Sequence, residues 1–178
     1  MPSYLHAAPG SEGPDAGVPP MDDGPVWTWS REEIESYYRQ GQCHYLAVAI
    51  RRATGLPLGA LWNAFEWHIE PDENGEGGVP EIVHVYVVTP DGGVIDILGE
   101  RSLEAMRITE AGADWEACPY GPLTDERLVQ LVEDTGNLVP YDSADIAVAE
   151  EVIRRTPALA AAVVAYASGG ETPATPRA

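Results

Sequence analysis

Apolar positions recur at two periods along the chain, and the change from one to the other separates helices from strands. Ile34, Tyr37 and Tyr38 stand at i, i+3 and i+4, behind Ser30 and Glu33. A Ser followed three residues later by Glu is a capping box, in which each side chain satisfies the other residue's free amide. A helix is therefore predicted from Ser30 to about Gln40, and Gly41 breaks it. A second helix starts near Cys43, with Leu46, Ala47, Ala49, Ile50 and Ala53 as its buried stripe. Arg51 and Arg52 fall in its last turn, where the helix dipole favours cations, and Gly55-Leu56-Pro57 supplies the stop.

Beyond residue 57 the period shortens. Residues 58–67 read as a strand, and 71–80 as a loop rich in Gly, Asp and Glu. Ile82-Val83-His84-Val85-Tyr86-Val87-Val88 is the strongest β signal in the chain. It turns at 89–93, where Pro90 and Asp91 suit a tight turn and Gly92-Gly93 supply positive φ, into Val94-Ile95-Asp96-Ile97-Leu98. This is a β-hairpin. Three helices follow: one capped at Thr124 and ending at Gly136, one capped at Ser143 and running to Arg155, and one over 157–167. Helices, then a β core, then helices make an α+β domain rather than alternating βαβ units.

The two ends differ from this. Residues 1–26 carry Pro2, Pro9, Pro14, Pro19, Pro20 and Pro25 among glycines, with almost no periodicity. Such a stretch buries too little apolar surface to offset the entropy of ordering it. It reads as a flexible arm, and 168–178 reads as a tail on the same grounds. One domain over 27–167 is expected.

Charge narrows the partners. Lys plus Arg number 10 and Asp plus Glu 29, a net charge of −19. Nucleic-acid and anionic-membrane surfaces need clustered cations, so neither partner is expected. No apolar run reaches the roughly 18 to 20 residues that span a bilayer. Met1-Pro2-Ser3-Tyr4-Leu5-His6 has neither the basic start nor the apolar centre of a secretory signal. A cytoplasmic protein is the expectation, with export that needs no cleavable signal left open.

The candidate chemistry centres on Cys43, His84 and Asp96. Cys43 opens a helix after a glycine break, and amide dipoles at a helix N-terminus favour the thiolate. A lone cysteine is more commonly a small core residue, so the downstream residues decide. His84 shares its strand face with Ile82, Tyr86 and Val88, while Val83 and Val85 point the other way. Asp96, among β-branched neighbours, is costly to bury unpaired. If Tyr86 lies opposite Asp96, His84 and Asp96 are diagonal neighbours on one face, but a one-residue slip separates them. Gly92-Gly93 allows a bulge, so both registers stay open. Together the three make the set that thiol catalysis requires: a carboxylate to fix the imidazole, an imidazole to take the thiol proton, and a thiolate to attack a carbonyl. They should converge along an open groove.

Other residues rank lower. His44 points about 100° away from Cys43 around a helix and reads as structural or as a pocket wall. His68, near Glu66 and Glu70, lacks a metal-ligand spacing, as do the two cysteines, so neither metal nor cofactor is expected. Trp62, Phe65 and Trp67 read as core. Cys118 sits in the turn-rich Ala117-Cys118-Pro119-Tyr120-Gly121-Pro122 and reads as a bystander. Gln40 and Gln42 are candidate side-chain donors to an oxyanion.

Residues 41–57, Gly-Gln-Cys-His-Tyr-Leu-Ala-Val-Ala-Ile-Arg-Arg-Ala-Thr-Gly-Leu-Pro, resemble the segment around the active cysteine of transglutaminase-like proteins, within the papain-like superfamily. The shared pattern is a glycine two before the cysteine, an alanine four after it and a helix closed by Gly-Leu-Pro. His84 and a short hairpin to Asp96 resemble the family's histidine and aspartate, in the same order. Two departures stand out: no Trp follows His84 and none precedes Asp96. The resemblance implies a papain-like core, in which the cysteine helix packs on an antiparallel sheet. It also implies acyl transfer through a thioester on Cys43, with a protein or peptide as substrate. Water as acceptor gives a peptidase or deamidase; an amine gives a transglutaminase-type reaction. The other reading is a non-catalytic module on the same fold that holds a protein or peptide between helix and hairpin.

Overall fold

Ser30 caps α1 (Arg31–Arg39): its hydroxyl accepts from the Glu33 amide at 3.2 Å, while its own amide donates to the Glu33 carboxylate at 2.6 Å. The structure is a computed structural model that describes residues 28–70, 72–74, 78–111, 117–135 and 138–167. The expected arm and tail lie outside the described residues. After α1 the chain turns at Gly41, whose φ of +105° is barred to side-chain-bearing residues, and enters α2 (Cys43–Thr54). Gly55, left-handed at φ +73°, closes α2 by donating its amide to the Arg51 carbonyl at 2.7 Å.

Among the described residues five strands form one antiparallel sheet: β1 (Leu58–Ile69), β2 (Val79–Val88), β3 (Gly93–Asp96), β4 (Gly99–Ser102) and β5 (Ala117–Leu123), in the order β4-β3-β2-β1-β5. α3 (Leu103–Ala111) lies between β4 and β5, and α4 (Asp125–Thr135), α5 (Ser143–Arg155) and α6 (Pro157–Ala167) complete the chain. The fold is α+β. Two cores lie on the two faces of the sheet. The larger joins α2, α4, α5 and α6 to the sheet through residues such as Leu46, Ile50, Leu58, Val87, Leu128, Ile146 and Leu159. The smaller packs Met106 and Ala111 of α3 against Leu61, Tyr86 and Val94.

α2 is the hub. The stripe predicted for it was one-sided, yet residues 43–50 are all buried and Ala53, placed in that stripe, is exposed. Helices packed around α2 bury its first two turns on every side, and its last turn emerges into solvent.

Three elements were not foreseen. Residues 99–111 form β4 and α3, where no regular structure was expected. The 117–123 stretch, with two prolines and a glycine, is not a turn but an edge strand paired with β1. Proline survives there because an edge strand has one row of amides with no ladder partner to lose. The cap of α5 is Asp142 rather than Ser143: its carboxylate accepts from the amides of Ala144 and Asp145 at 2.6 and 3.1 Å.

Candidate active site

The β2–β3 hairpin pairs Val87 with Ile95 and Val88 with Val94, which by extension sets Tyr86 opposite Asp96. Of the two registers open from the sequence, this one makes His84 and Asp96 diagonal neighbours. Their side chains meet, His84 Nε2 lying 3.1 Å from Asp96 Oδ2. A carboxylate only accepts, so Nε2 carries the proton and Nδ1 is left as the basic nitrogen.

A bulge lies just before His84. Leu61 pairs with His84, but the next residue, Trp62, pairs with Ile82, so Val83 is the extra residue. The bulge reverses the alternation expected upstream of His84: Ile82 joins the core of Val85 and Val87, and Val83 packs with Tyr86 and Val88 instead. Bulges bend a strand and re-aim the side chains beside them.

Cys43 comes to the same point from the other direction. Gly41 and the N-cap residue Gln42 start α2 with no side-chain cap; the Tyr45 amide donates to the Gln42 carbonyl at 3.1 Å, which leaves the amides of Cys43 and His44 to stabilise negative charge. The sulfur accepts a hydrogen bond of 3.3 Å from the Val85 amide. Cys43, His84 and Asp96 line one crevice with Tyr38, Leu46, Ala47, Val85, Ile95 and Ile97. The three candidate residues therefore come together, from α2, β2 and β3.

The crevice is closed, unlike the open groove expected for them. Cys43, His84 and Asp96 are 3%, 1% and 3% exposed, and the space between their neighbours admits no water molecule. Tyr38, Ile95 and Ile97 are among the residues that line it. On the other side of Ile97 a cleft of about 620 Å³ opens between Trp29, Ile34, Leu98, Pro157 and Ala158.

Electrostatics favour an ion pair inside the crevice. Burial pushes the Cys43 thiol up, but His44 and His84 more than reverse this, bringing it down to about 6. Burial pushes His84 down, while Asp96 and the Cys43 thiolate hold its charged form, and the balance lifts it to about 10. Burial also raises the Asp96 carboxyl, yet His84 and Arg101 keep it below its ordinary value. Thiolate and imidazolium then coexist around neutrality and titrate as a pair.

Two contributors were missed or underrated in the sequence. His44 is fully buried; its Nε2 lies 2.7 Å from the Val139 carbonyl, which only accepts, so Nε2 carries a proton that it donates there. Nδ1 of each ring is buried with no formed hydrogen bond, and the Cys43 thiol is the group on which both rings act. Adjacency to Cys43 was the available signal. Arg101, on the unforeseen β4, pairs with Asp96 and, at 2.8 Å, with Glu110. Among the described residues His84, Asp96 and Glu110 form the one cluster with metal-ligand spacing. The Arg101 guanidinium, bound to both carboxylates, already supplies the cation there.

The remaining candidates fall elsewhere. In the orientation its surroundings favour, the Gln42 amide donates to the Tyr37 and Gln40 carbonyls at 2.9 and 3.0 Å, so both its protons are engaged. Gln40 is exposed at the end of α1. Trp62 packs on the larger core. Cys118 is paired by its backbone with Trp62 in β5, and the side chains of Phe65, Trp67, His68 and Cys118 lie outside the described residues. No helix among the described residues is long and apolar enough to cross a membrane. No protein-family model matches the chain, and comparison with curated proteins and with solved structures gives no match either.

Proposed function

We propose that the chain is a cysteine acyl-transfer enzyme acting on an amide, of the peptidase, deamidase or transglutaminase type. One observation carries this reading: the buried thiol at an uncapped helix start is flanked by His84, whose far nitrogen is held by Asp96 at 3.1 Å. Core packing alone gives no reason for a cysteine, a histidine and a carboxylate from three elements to converge. The order Cys43, His84, Asp96 is also the one expected from the transglutaminase-like resemblance.

The Cys43 thiolate attacks the amide carbon, forming a C–S bond and an oxyanion, which the free amides at the start of α2 stabilise. Such a donor is often worth about 3 kcal/mol. The oxyanion collapses, the C–N bond breaks, and the His84 imidazolium gives its proton to the departing amine. Water or a second amine then attacks the thioester, His84 takes the proton of the attacking group, and Cys43 leaves as thiolate. Asp96 holds the ring in place and does not itself react. Ile97 lines both the crevice and the neighbouring cleft, so its movement would open a route for substrate from the cleft.

The closed crevice favours a second reading, a binding module in which Cys43 never meets a carbonyl. An activated acyl ester such as 4-nitrophenyl acetate separates the two by mass spectrometry. Acyl transfer requires an acetyl group to appear on Cys43 and then be lost to water, and His84→Ala to slow its formation. An unacetylated Cys43, with the ester consumed no faster than in buffer, would favour the binding module.

A further inference from the structure

His84, Asp96, Arg101, Glu110 and Arg39 form a bonded line of alternating charge, and Cys43 lines the same crevice as His84 at its start. Asp96 joins His84 to Arg101, Arg101 Nη2 reaches Glu110 Oε1 at 2.8 Å, and Glu110 Oε2 meets Arg39 Nε at 3.0 Å. With Cys43 as thiolate and His84 as imidazolium, three negative groups balance three positive ones. With Cys43, the line draws on α2, β2, β3, β4, α3 and α1. It returns almost to its start, since Arg39 ends the helix whose turn at Gly41 leads into Cys43. Its middle is buried: the side chains of Arg101 and Glu110 are 14% and 5% exposed, while Arg39, at 35%, reaches the surface.

The sheet explains how Arg101 arrives there. Arg101 lies opposite Val94, and Asp96 opposite Gly99, so Arg101 and Asp96 are diagonal neighbours on one face of the β3–β4 pair. Glu110 reaches the guanidinium from α3, which packs on that face. The Glu110 carboxylate lies close to buried Asp96, and a second negative charge there would oppose the ionisation of Asp96. The guanidinium between them removes the conflict and lets Asp96 stay charged beneath His84.

We propose that Arg101 is the positioning residue of this site, holding Asp96 ionised and oriented against His84, and that Glu110 and Arg39 set how strongly it does so. Its role presupposes the acyl-transfer reading of Cys43 and His84. Arg101 touches neither substrate nor sulfur; it acts through Asp96. The other charged and titratable groups against the pair are His44 beside the thiol and Tyr38 in the crevice wall. Neither changes in the variants below.

The test is the ionisation of Cys43, read as thiolate ultraviolet absorbance against pH. Each protein is compared with its own Cys43→Ser counterpart, which subtracts Cys118. Arg101→Gln removes a positive charge, weakens the hold on His84, and should move the thiol midpoint up by about one pH unit or more. Glu110→Gln leaves Arg101 less neutralised and should move the midpoint down. Arg101→Lys should restore much of the wild-type value. Opposite shifts are beyond a merely structural role, since loosened packing would move both variants the same way. Unchanged midpoints, or shifts of one sign in both, would overturn the assignment, and Glu110→Gln alone decides its own sign if Arg101→Gln does not fold. A wild-type midpoint at the ordinary thiol value counts against the acyl-transfer reading; the relay is still judged by the signs of the two shifts.

Discussion

The sulfur of Cys43 and the backbone amide of Val85 lie 3.3 Å apart in a hydrogen bond that the amide donates. Val85 follows His84, so this contact docks the start of α2 on the strand that carries the imidazole. It also gives a thiolate a donor that a neutral thiol uses poorly. Helix start, bulged strand and hairpin are thus joined at one atom.

Asp96→Asn tests the energetic side of that junction. Asp96 is 3% exposed and bonded to His84, Arg101 and the Leu98 amide at 2.9 Å. Removing one member of a buried charge pair costs about 3 to 5 kcal/mol. The Asp96 carboxyl is held below its ordinary value, so its contribution is present above the unfolded value near about 3.9 and is lost as pH falls through the lower folded value. Urea unfolding should therefore show a large gap between wild type and Asp96→Asn at neutral pH that closes in acid. A gap independent of pH would mean that shape, not charge, accounts for it.

Ile97→Ala tests access. Ile97 is 2% exposed and borders both the Cys43 crevice and the neighbouring cleft. Truncation should cost about 2 to 5 kcal/mol yet speed alkylation of Cys43 by iodoacetamide roughly tenfold, equivalent to about 1.4 kcal/mol off the barrier. Leu128→Ala, equally buried but on α4, controls for general loosening. Equal acceleration in both variants would show that Ile97 is no gate.

Helix α5 packs on α2, so its cap bears on the site indirectly. Asp142 accepts from two amides of the first turn and its own amide donates to Asp145 at 2.9 Å. Asp142→Ala should cost about 1 kcal/mol of stability, and Ser143→Ala much less. Thermal unfolding of the two variants measures this, and the reverse order would restore the cap to Ser143.

The parts of this fold that were legible are those with strong local signals. Ser30 and Glu33 announced α1, Gly41 and Gly55 bracketed α2, and the valine-rich run ending at Val88 announced β2. What was hidden depends on tertiary context. Val83 is a bulge only by its pairing with β1, and no residue type marks it. β4 is four residues long and its alternation, Gly99-Glu100-Arg101-Ser102, is polar on both faces, so nothing local marks Arg101 as a partner of Asp96. β5 keeps prolines because it is an edge. Cys43, His84 and Asp96 could be picked out by type and order. That the crevice around them is closed could not, since Tyr38 and Ile97 are ordinary apolar positions in the sequence.

The pH dependence of Cys43 alkylation, in wild type and in His84→Ala, tests most directly whether His84 activates the thiol. Rates of carboxamidomethylation at Cys43, followed by peptide mass, report the thiolate fraction. The wild-type rate should rise through a midpoint near pH 6, where the thiol is held by His44 and His84 against the cost of burial. In His84→Ala one of the two imidazoles that hold the thiolate is gone, His44 is left alone against burial, and the midpoint should move up while the fold persists. A wild-type midpoint at the ordinary thiol value of about 8.5, or a profile unchanged by His84→Ala, would contradict the account of Cys43 as an activated nucleophile.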